Sequence, residues 1–181
     1  MTDREIIQTY REGRKEEAFE ALVRSYGERL YWHLRRLTAS HEDADDLLQD
    51  TFLKVWSALP DFREESRLFT WIYRIATNEA LNFLRKNRWK ALLKAESLES
   101  ILDRRIDEDP GFDGDRLQRT LMKAVNRLPQ KQKLVFCLRY FDELRYEDIS
   151  EMTSTSVGAL KASYHIAAGK VRAELEVEHG Q

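Results

Sequence analysis

The most chemically suggestive residues form an acidic run between His41 and Asp50. Within it, Asp43, Asp46 and Asp50 recur at steps of three and four, so their carboxylates share one face of a predicted helix. Such oxygen donors could hold Mg²⁺ in a nuclease. However, no second ligand set, base or nucleophile stands at a matching spacing, and the helix dipole alone favours acids in a first turn. We therefore predict a protein-docking face, with Leu53 exposed among the acids, and no metal, cofactor or catalytic residue.

A second group of residues suits the binding of unpaired nucleic-acid bases. They lie on one face of a third predicted helix, at steps of three and four with one aromatic neighbour: Trp71, Tyr73, Arg74, Asn78, Asn82 and Arg85. Aromatic rings set among Arg and Asn can stack on bases and hydrogen-bond to them. The alternative is that Trp71 and Tyr73 simply pack against the second helix, and the sequence leaves both interpretations open.

The C-terminal segment has the pattern of a helix-turn-helix. Tyr146, Ile149 and Met152 have the spacing of one buried helical face, and the hydroxyl-rich turn 153–156 precedes a second helix. The residues that the second helix turns outward are small or basic: Gly158, Ala159, Lys161, Ala162 and His165. Small residues let a helix lie deep in the major groove, where the basic ones could contact phosphates or base edges. An ordinary helical hairpin with a solvated face is the alternative.

The elements that position these residues are predicted to be helices along nearly the whole chain, so the expected fold class is all-α. Only 7 Gly and 3 Pro occur among 181 residues, which argues against a many-turned β-sandwich or barrel. We expect two small helical domains, at residues 1–92 and 114–181, the second containing the helix-turn-helix. Residues 93–113 carry concentrated acid, an Asp-Pro-Gly break and little periodicity, and we interpret them as an acidic linker.

Composition narrows the class of protein further. The net charge is −2, yet acidic and basic residues are segregated along the chain, which decides where an anion can dock. The one cysteine, Cys137, excludes an internal disulfide framework and is expected in the core. No apolar stretch is long enough to span a membrane, and the N-terminus lacks the apolar region of a secretion signal. We therefore expect a cytoplasmic protein with no direct membrane insertion.

Three stretches of the chain, taken together, resemble one family. They are DADDLLQDTFLKVWSALPDF, FTWIYRIATNEALNFLRKNR and LPQKQKLVFCLRYFDELRYEDISEMTSTSVGALKASYHIAAGKVR. In their order and spacing they resemble bacterial RNA polymerase sigma factors of the extracytoplasmic-function class, over Phe19–Arg88 and Leu117–Leu175. The resemblance implies a non-enzymatic promoter-specificity subunit that binds core RNA polymerase, recognises a two-element promoter and assists its melting.

The resemblance also implies roles for particular residues. The helix Asp46–Leu59 would bind the clamp helices of the largest polymerase subunit, and the segment Lys133–Tyr140 would lie near the polymerase flap. The loop Asp61–Leu68 would capture a flipped base of the minus-ten promoter element. The polymerase-binding candidates are Asp46, Asp50, Phe52 and Leu53. The minus-ten candidates are Phe62, Arg63, Trp71, Arg74 and Asn78, and the minus-thirty-five candidates are Ser156, Gly158, Lys161, Ala162 and His165.

The chain departs from the family pattern in its recognition helix. Many members have several Arg residues there, whereas only Lys161 and His165 have polar reach in the stretch 161–168. The upstream element would then be recognised through fewer base contacts and more through DNA shape. An anti-sigma factor is a common partner in this class and is therefore a candidate partner. The alternative function is a free-standing helix-turn-helix regulator that binds duplex DNA without polymerase, which would leave the acidic helix and the aromatic face without a role.

Overall fold

The computed structural model of the chain describes residues 1–112 and 115–180, and these ranges are helical without any strand. The predicted all-α class is confirmed. The helices are α1 (Asp3–Arg11), α2 (Lys15–Thr38), α3 (His41–Ala58), α4 (Leu68–Leu93), α5 (Leu98–Glu108), α6 (Arg116–Asn126), α7 (Gln130–Phe136), α8 (Tyr146–Thr153) and α9 (Val157–His179). A π-helical turn, Cys137–Phe141, continues α7.

The first half is a bundle of α1 to α4, in which α2 packs against each of the other three. Local sequence signals delimit these helices. Ala39 takes a left-handed backbone conformation (φ 53°) that ends α2, and the Ser40 hydroxyl then caps α3 by accepting from the Asp43 amide at 3.2 Å. Pro60 lies in a 3₁₀ turn, Leu59–Asp61, directly after α3, where the sequence predicted a helix end.

The second half packs α6 and α7 against α9, with α8 set before it. The predicted turn between the last two helices is present, since α8 ends at Thr153 and α9 begins at Val157. Ser154 takes the left-handed conformation (φ 53°), and the Ser156 hydroxyl caps α9 by accepting from the Ala159 amide at 3.2 Å.

The segment interpreted as an irregular linker differs from that expectation. It contains the 11-residue helix α5, capped by Ser97 and packed against α6. Leu102 and Ile106 lie one helical turn apart and are both buried, in an apolar cluster with Ala39 and Met122. In the sequence, two apolar residues one turn apart among many acidic residues do not form a recognisable hydrophobic face. The predicted limit between residues 113 and 114 falls outside the described residues.

The two halves share one continuous apolar core. Their boundary, here called the inter-half interface, also holds buried polar contacts. His33 Nδ1 lies 3.0 Å from Asp142 Oδ2, and Arg36 Nη2 donates to the other carboxylate oxygen at 2.7 Å. Lys133 Nζ donates to the Leu37 carbonyl oxygen at 3.1 Å. Because buried charges are costly unless paired, this interface fixes the two halves in one arrangement.

Within residues 1–112 and 115–180, every helix is too short or too polar to cross a membrane. The same ranges contain no group of three or more His, Cys, Asp or Glu side chains placed to hold a metal ion.

Candidate polymerase and nucleic-acid interface

The exposed face of α3 is acidic with one apolar residue. Asp46 and Asp50 are exposed one turn apart, and Leu53 continues the face with 64% of its surface exposed. Asp43 does not join them, because its Oδ2 accepts from Arg105 Nη1 at 2.6 Å. The three carboxylates considered for a metal-dependent nuclease are therefore not available together, and this face offers a surface for a basic partner.

Phe52 does not lie on that surface. The sequence placed it among the polymerase-binding candidates, but it is only 7% exposed and its ring packs edge-on against Phe19 at 6.0 Å. Successive helical residues are rotated by about 100°. The side chain next to exposed Leu53 therefore turns into the core, where it supports the acidic face from beneath.

The loop between α3 and α4 borders an open cavity of about 490 Å³. We call it the minus-ten cavity, after the residues that the family resemblance assigns to the minus-ten element. Its lining residues are Asp61, Phe62, Arg63, Glu65, Ser66, Trp71, Arg74 and Glu151. The rings of Phe62 and Trp71 pack against each other with their centroids 4.9 Å apart. An aromatic wall beside two guanidinium groups can accept a flat base and its phosphate. The structure thus brings four of the five minus-ten candidates together around one opening.

The fifth candidate, Asn78, lies further along α4 and is exposed. Tyr73 does not share this face, and of the two interpretations that the sequence left open, the structure supports core packing, here against α2. It is fully buried, and its ring packs against Phe69 at 4.5 Å and His33 at 5.2 Å. Burial, with a smaller contribution from Asp142, raises the pKa of the Tyr73 hydroxyl above its ordinary value. Tyr73 therefore belongs to the core of the helix bundle, beneath the face of α4 that carries Trp71 and Arg74.

The C-terminal half lies directly against this surface. Glu151 of α8 lines the minus-ten cavity. Arg67 Nη2, at the start of α4, forms an ion pair with Asp148 Oδ2 at 2.9 Å. Asn78 lines a separate cavity of about 270 Å³, whose other walls include Thr155 of the α8–α9 turn. The helix-turn-helix thus covers part of the face that carries the minus-ten candidates.

The recognition helix α9 is open on its outer side. Gly158, Lys161, Ala162 and His165 are exposed, as the sequence predicted, while Leu160 and Ala167 are buried. Ser156 is exposed as well, although its hydroxyl serves as the helix cap. Lys161 Nζ lies 5.8 Å from the centroid of the Tyr146 ring, at the start of α8. A β-carbon at Gly158 would meet no atom within 4 Å, so the surface is flat there.

The segment expected near the polymerase flap is mostly buried. Lys133 is 5% exposed, and Leu134 to Leu138 are all in the core. Tyr140, at 51% exposed, is the part of this segment most available to a partner. Burial lowers the pKa of Lys133 to about 8. Attraction to Cys137 opposes this shift, and repulsion from Arg88 adds to it. This segment thus acts mainly as a packing element in the free chain.

Two features of the interface were missed in the sequence. Ile166 is 50% exposed on α9 next to His165 and could contact a thymine methyl group. Arg67 and Glu151 were also missed, because their importance comes from contact between the halves. Such contact has no local signal in the sequence.

Comparison with known families identifies both halves. The family model for sigma-70 region 2 matches residues 22–90, and the model for sigma-70 region 4 matches residues 118–168. The first match contains the acidic face and every residue that lines the minus-ten cavity except Glu151. The second contains the helix-turn-helix.

Curated relatives cover nearly the whole chain. The ECF RNA polymerase sigma-E factor of Haemophilus influenzae is 31% identical over 170 residues, spanning 90% of this chain and 89% of that protein. The ECF RNA polymerase sigma factor SigW of Bacillus subtilis is 27% identical over 169 residues, spanning 88% of this chain and 90% of that protein.

Solved structures show the same fold. The sigma factor RpoE of Bartonella quintana, in complex with the anti-sigma factor NepR, matches with a TM-score of 0.71 and 24% identity over 88% of this chain and 97% of that one. CnrH, in complex with the cytosolic domain of CnrY, matches with a TM-score of 0.73 and 23% identity over 97% of both chains. Both sigma-70 regions are matched, and one relative is 31% identical over 90% of this chain. The chain therefore belongs to the extracytoplasmic-function RNA polymerase sigma factors of the sigma-70 family.

Proposed function

We propose that this sigma factor binds core RNA polymerase through α3, recognises the minus-ten element through the α3–α4 loop and α4, and recognises the minus-thirty-five element through α9. As a member of this family the chain is a transcription initiation factor and not an enzyme. The observation that carries the assignment is the exposure of Asp46, Asp50 and Leu53 on one uninterrupted face within the region 2 match. Phe52 is left out of the contact set because it is buried.

The charge of the α3 face fits the polymerase clamp helices if those helices present basic groups. Electrostatic complementarity of this kind speeds association and fixes orientation more than it adds raw affinity. Leu53 supplies the apolar contact that a carboxylate pair lacks, and large exposed apolar side chains ringed by polar ones often mark protein interfaces. The acidic face would therefore steer the encounter, and Leu53 would be buried by it.

Promoter melting would follow from capture of unpaired bases at the minus-ten cavity. Stacking one base on an aromatic ring is worth about 1–3 kcal/mol. Extruding a base from a duplex costs a few kcal/mol. One or two captured bases beside Trp71 and Phe62 would thus offset the cost of opening a short stretch. Arg63 and Arg74 would neutralise the adjoining phosphates.

The position of the C-terminal half bears on when this capture can happen. Glu151, an exposed carboxylate, lines the minus-ten cavity, whereas Asp148 of the same helix is buried and paired with Arg67 and Arg145. A phosphate backbone would be repelled by Glu151, so the strand would enter more readily after the second half had moved away. We propose that docking of both halves on polymerase supplies that separation.

The domain division at 1–92, 93–113 and 114–181 is part of the same proposal, with α5 as a folded segment inside the connecting stretch. The solved relatives are complexes with the anti-sigma factors NepR and CnrY, and a protein of that class is a candidate partner of this chain too. Action in the cytoplasm, where the polymerase works, follows from the proposed role.

The direct test is capture of bacterial core RNA polymerase by the purified chain, followed by run-off transcription on fragmented genomic DNA. Discrete new transcripts are expected. Asp50→Lys should abolish polymerase capture by placing a cation on the docking face. Asp45→Lys is the matched control, because it makes the same charge change on α3 about 100° away from that face.

Wild-type capture by the Asp50→Lys variant, with the control equally active, would overturn the docking assignment. Binding of duplex DNA without any association with polymerase would support the free-standing regulator instead.

A further inference from the structure

A second cavity, separate from the nucleic-acid surfaces, lies at the junction of the two halves. It has a volume of about 370 Å³, within the size range of small-molecule sites. We call it the junction cavity. Its apolar lining consists of Leu84, Leu92, Leu98, Leu102 and Leu128. Its polar lining consists of Arg88, Glu96, Ser97, Glu99, Asn126, Gln130 and Lys133.

Asn126 is the most informative of these residues. It is only 5% exposed, yet neither its amide nitrogen nor its amide oxygen has a hydrogen-bond partner among the described residues. Leaving such a group unsatisfied costs about 1–3 kcal/mol. A buried amide that lines a cavity and lacks partners is placed to bind something that enters the cavity.

Lys133 supplies charge at the same place. It is 5% exposed, and the contact described for its ammonium group is one hydrogen bond to the Leu37 carbonyl oxygen. No carboxylate lies among its described partners, and the nearby charge of Arg88 opposes its protonation. Glu96, at the rim, is already paired with Arg104 at 2.9 Å. An anionic group would therefore be stabilised beside Lys133 and Arg88.

We propose that the junction cavity binds a small amphipathic anion, a molecule with an apolar chain and a carboxylate head. The chain would lie against the leucine side chains, and the head would accept from the Lys133 ammonium and the Asn126 amide. A neutral molecule of the same shape would leave the buried cation without a counter-charge, so charge separates the proposed ligand class from simple apolar compounds.

Binding at the junction cavity would also affect polymerase capture, a consequence that rests on the proposed function. Its walls come from α4 and α5 on one side and from α6 and α7 on the other. A bound molecule would hold these elements together and stabilise the arrangement in which the two halves pack against each other. Since a ligand that binds one state shifts the equilibrium toward it, the same anion should weaken capture of core polymerase.

The test uses the full chain and sodium decanoate as the probe, by titration calorimetry below the micelle-forming concentration at pH 7. Saturable binding of one decanoate per chain is expected. Decanol has the same alkyl chain as decanoate but no charge. It should bind at least about tenfold more weakly, because this is the effect of losing a hydrogen bond to a charged group. Asn126→Leu and Lys133→Met should each cause a similar loss, while Lys131→Met, on an exposed lysine of the same helix, should not.

A cavity-filling change provides the second line of evidence. Leu98 is half-buried at the cavity, so Leu98→Trp should fill the space without removing a polar group and should abolish binding. Circular dichroism and the unfolding midpoint of each variant show that it is folded. Absence of saturable binding to the wild type, or equal binding by the Asn126, Lys133 and Leu98 variants, would overturn the proposal. Either result leaves polymerase capture by the free chain, and hence the proposed function, unaffected.

Discussion

The two surfaces that we propose to bind DNA differ in their accessibility within the same structure. The outer side of α9 is open, with Lys161, Ala162 and His165 exposed. The minus-ten cavity has Glu151 of the other half in its wall, and Arg67 beside it is tied to Asp148. On the proposed assignment, a duplex could approach α9 directly, whereas an unpaired strand at the minus-ten cavity would meet Glu151 of α8.

The difference lies in what each surface must recognise. On the proposed assignment, α9 would meet ordinary duplex DNA and could stay exposed, because duplex contacts are dominated by phosphates. The minus-ten cavity would present aromatic rings to unstacked bases, which stack on such rings with little regard to sequence. Partial cover by α8 would then limit the binding of single strands until the chain docks on polymerase.

The largest change in the accessibility of the minus-ten cavity is expected from disruption of the inter-half interface. Asp142→Ala removes the buried carboxylate that contacts His33 and Arg36, leaving the partly buried Arg36 guanidinium without its ion-pair partner. Loss of one partner of a buried pair costs about 3–5 kcal/mol. We expect a drop of that size in the free energy of urea unfolding. Small-angle scattering should also show a larger radius, because the halves separate.

The control for this change is Glu147→Ala, an exposed acid on α8 whose loss should alter the unfolding free energy by no more than about 0.5 kcal/mol. A loss below about 1 kcal/mol in Asp142→Ala would show that the buried network does not hold the halves together.

A second prediction concerns the covered surface alone. Trp71→Ala should weaken binding of a single-stranded minus-ten oligonucleotide to the polymerase complex by about 1–3 kcal/mol, the value of one stacked base. Fluorescence anisotropy of a labelled oligonucleotide measures this. Trp89→Ala, on a tryptophan of α4 that is 66% exposed, is the matched control and should change little. Equal losses from both variants would show that Trp71 has no specific stacking role.

These contrasts also show what the sequence could and could not predict. Exposure of Asp46, Asp50 and the outer residues of α9 was predicted from helical periodicity, which is a local property. Phe52, next to exposed Leu53, was a polymerase-binding candidate because of the family resemblance. For Tyr73, next to Arg74, the sequence left base binding and core packing both open. A step of one residue turns a helical side chain by about 100°, so such neighbours are often buried.

The remaining differences arise from long-range packing. Asp142 meets His33 across 109 positions of the chain, and no spacing rule connects them. The helix α5 was read as a linker because its two buried residues are surrounded by acids that suit a solvated segment. Those acids are used in the fold, since Asp103 and Asp107 pair with Arg127 and Lys123. Composition alone did not distinguish a tether from a docked helix.

A third prediction uses the pH dependence of the interface. The pKa of Lys133 is lowered from 10.5 to about 8 in the folded chain, mainly by burial. Between these values the unfolded state binds more protons, so stability rises with pH. From pH 8 to pH 9 the wild type should gain about 1 kcal/mol of unfolding free energy relative to Lys133→Met. Urea unfolding at both pH values measures the difference.

The interval from pH 8 to pH 9 lies below the range in which ionisation of Cys137 dominates the pH dependence of stability. Burial raises the pKa of its thiol from 9.0 to about 12, so stability falls above pH 9 as the unfolded thiol ionises. Both chains compared carry this cysteine, and the comparison ends where its contribution begins to grow. A flat difference from pH 8 to pH 9 would show that Lys133 is not held in a desolvated state in solution.

The smallest effect is expected on the open surface. Lys161 is an exposed cation on α9, and one phosphate contact changes the slope of log affinity against log salt by about 0.9. Lys161→Ala should reduce the slope for a minus-thirty-five duplex by that amount. From 50 to 200 mM salt the variant should therefore lose about threefold less affinity than the wild type. Lys170→Ala, an exposed lysine of α9 bonded to Gln132, should leave the slope closer to that of the wild type. An unchanged slope combined with altered base preference would mean that Lys161 contacts a base edge rather than a phosphate, since only phosphate contacts release counterions uniformly across sequences.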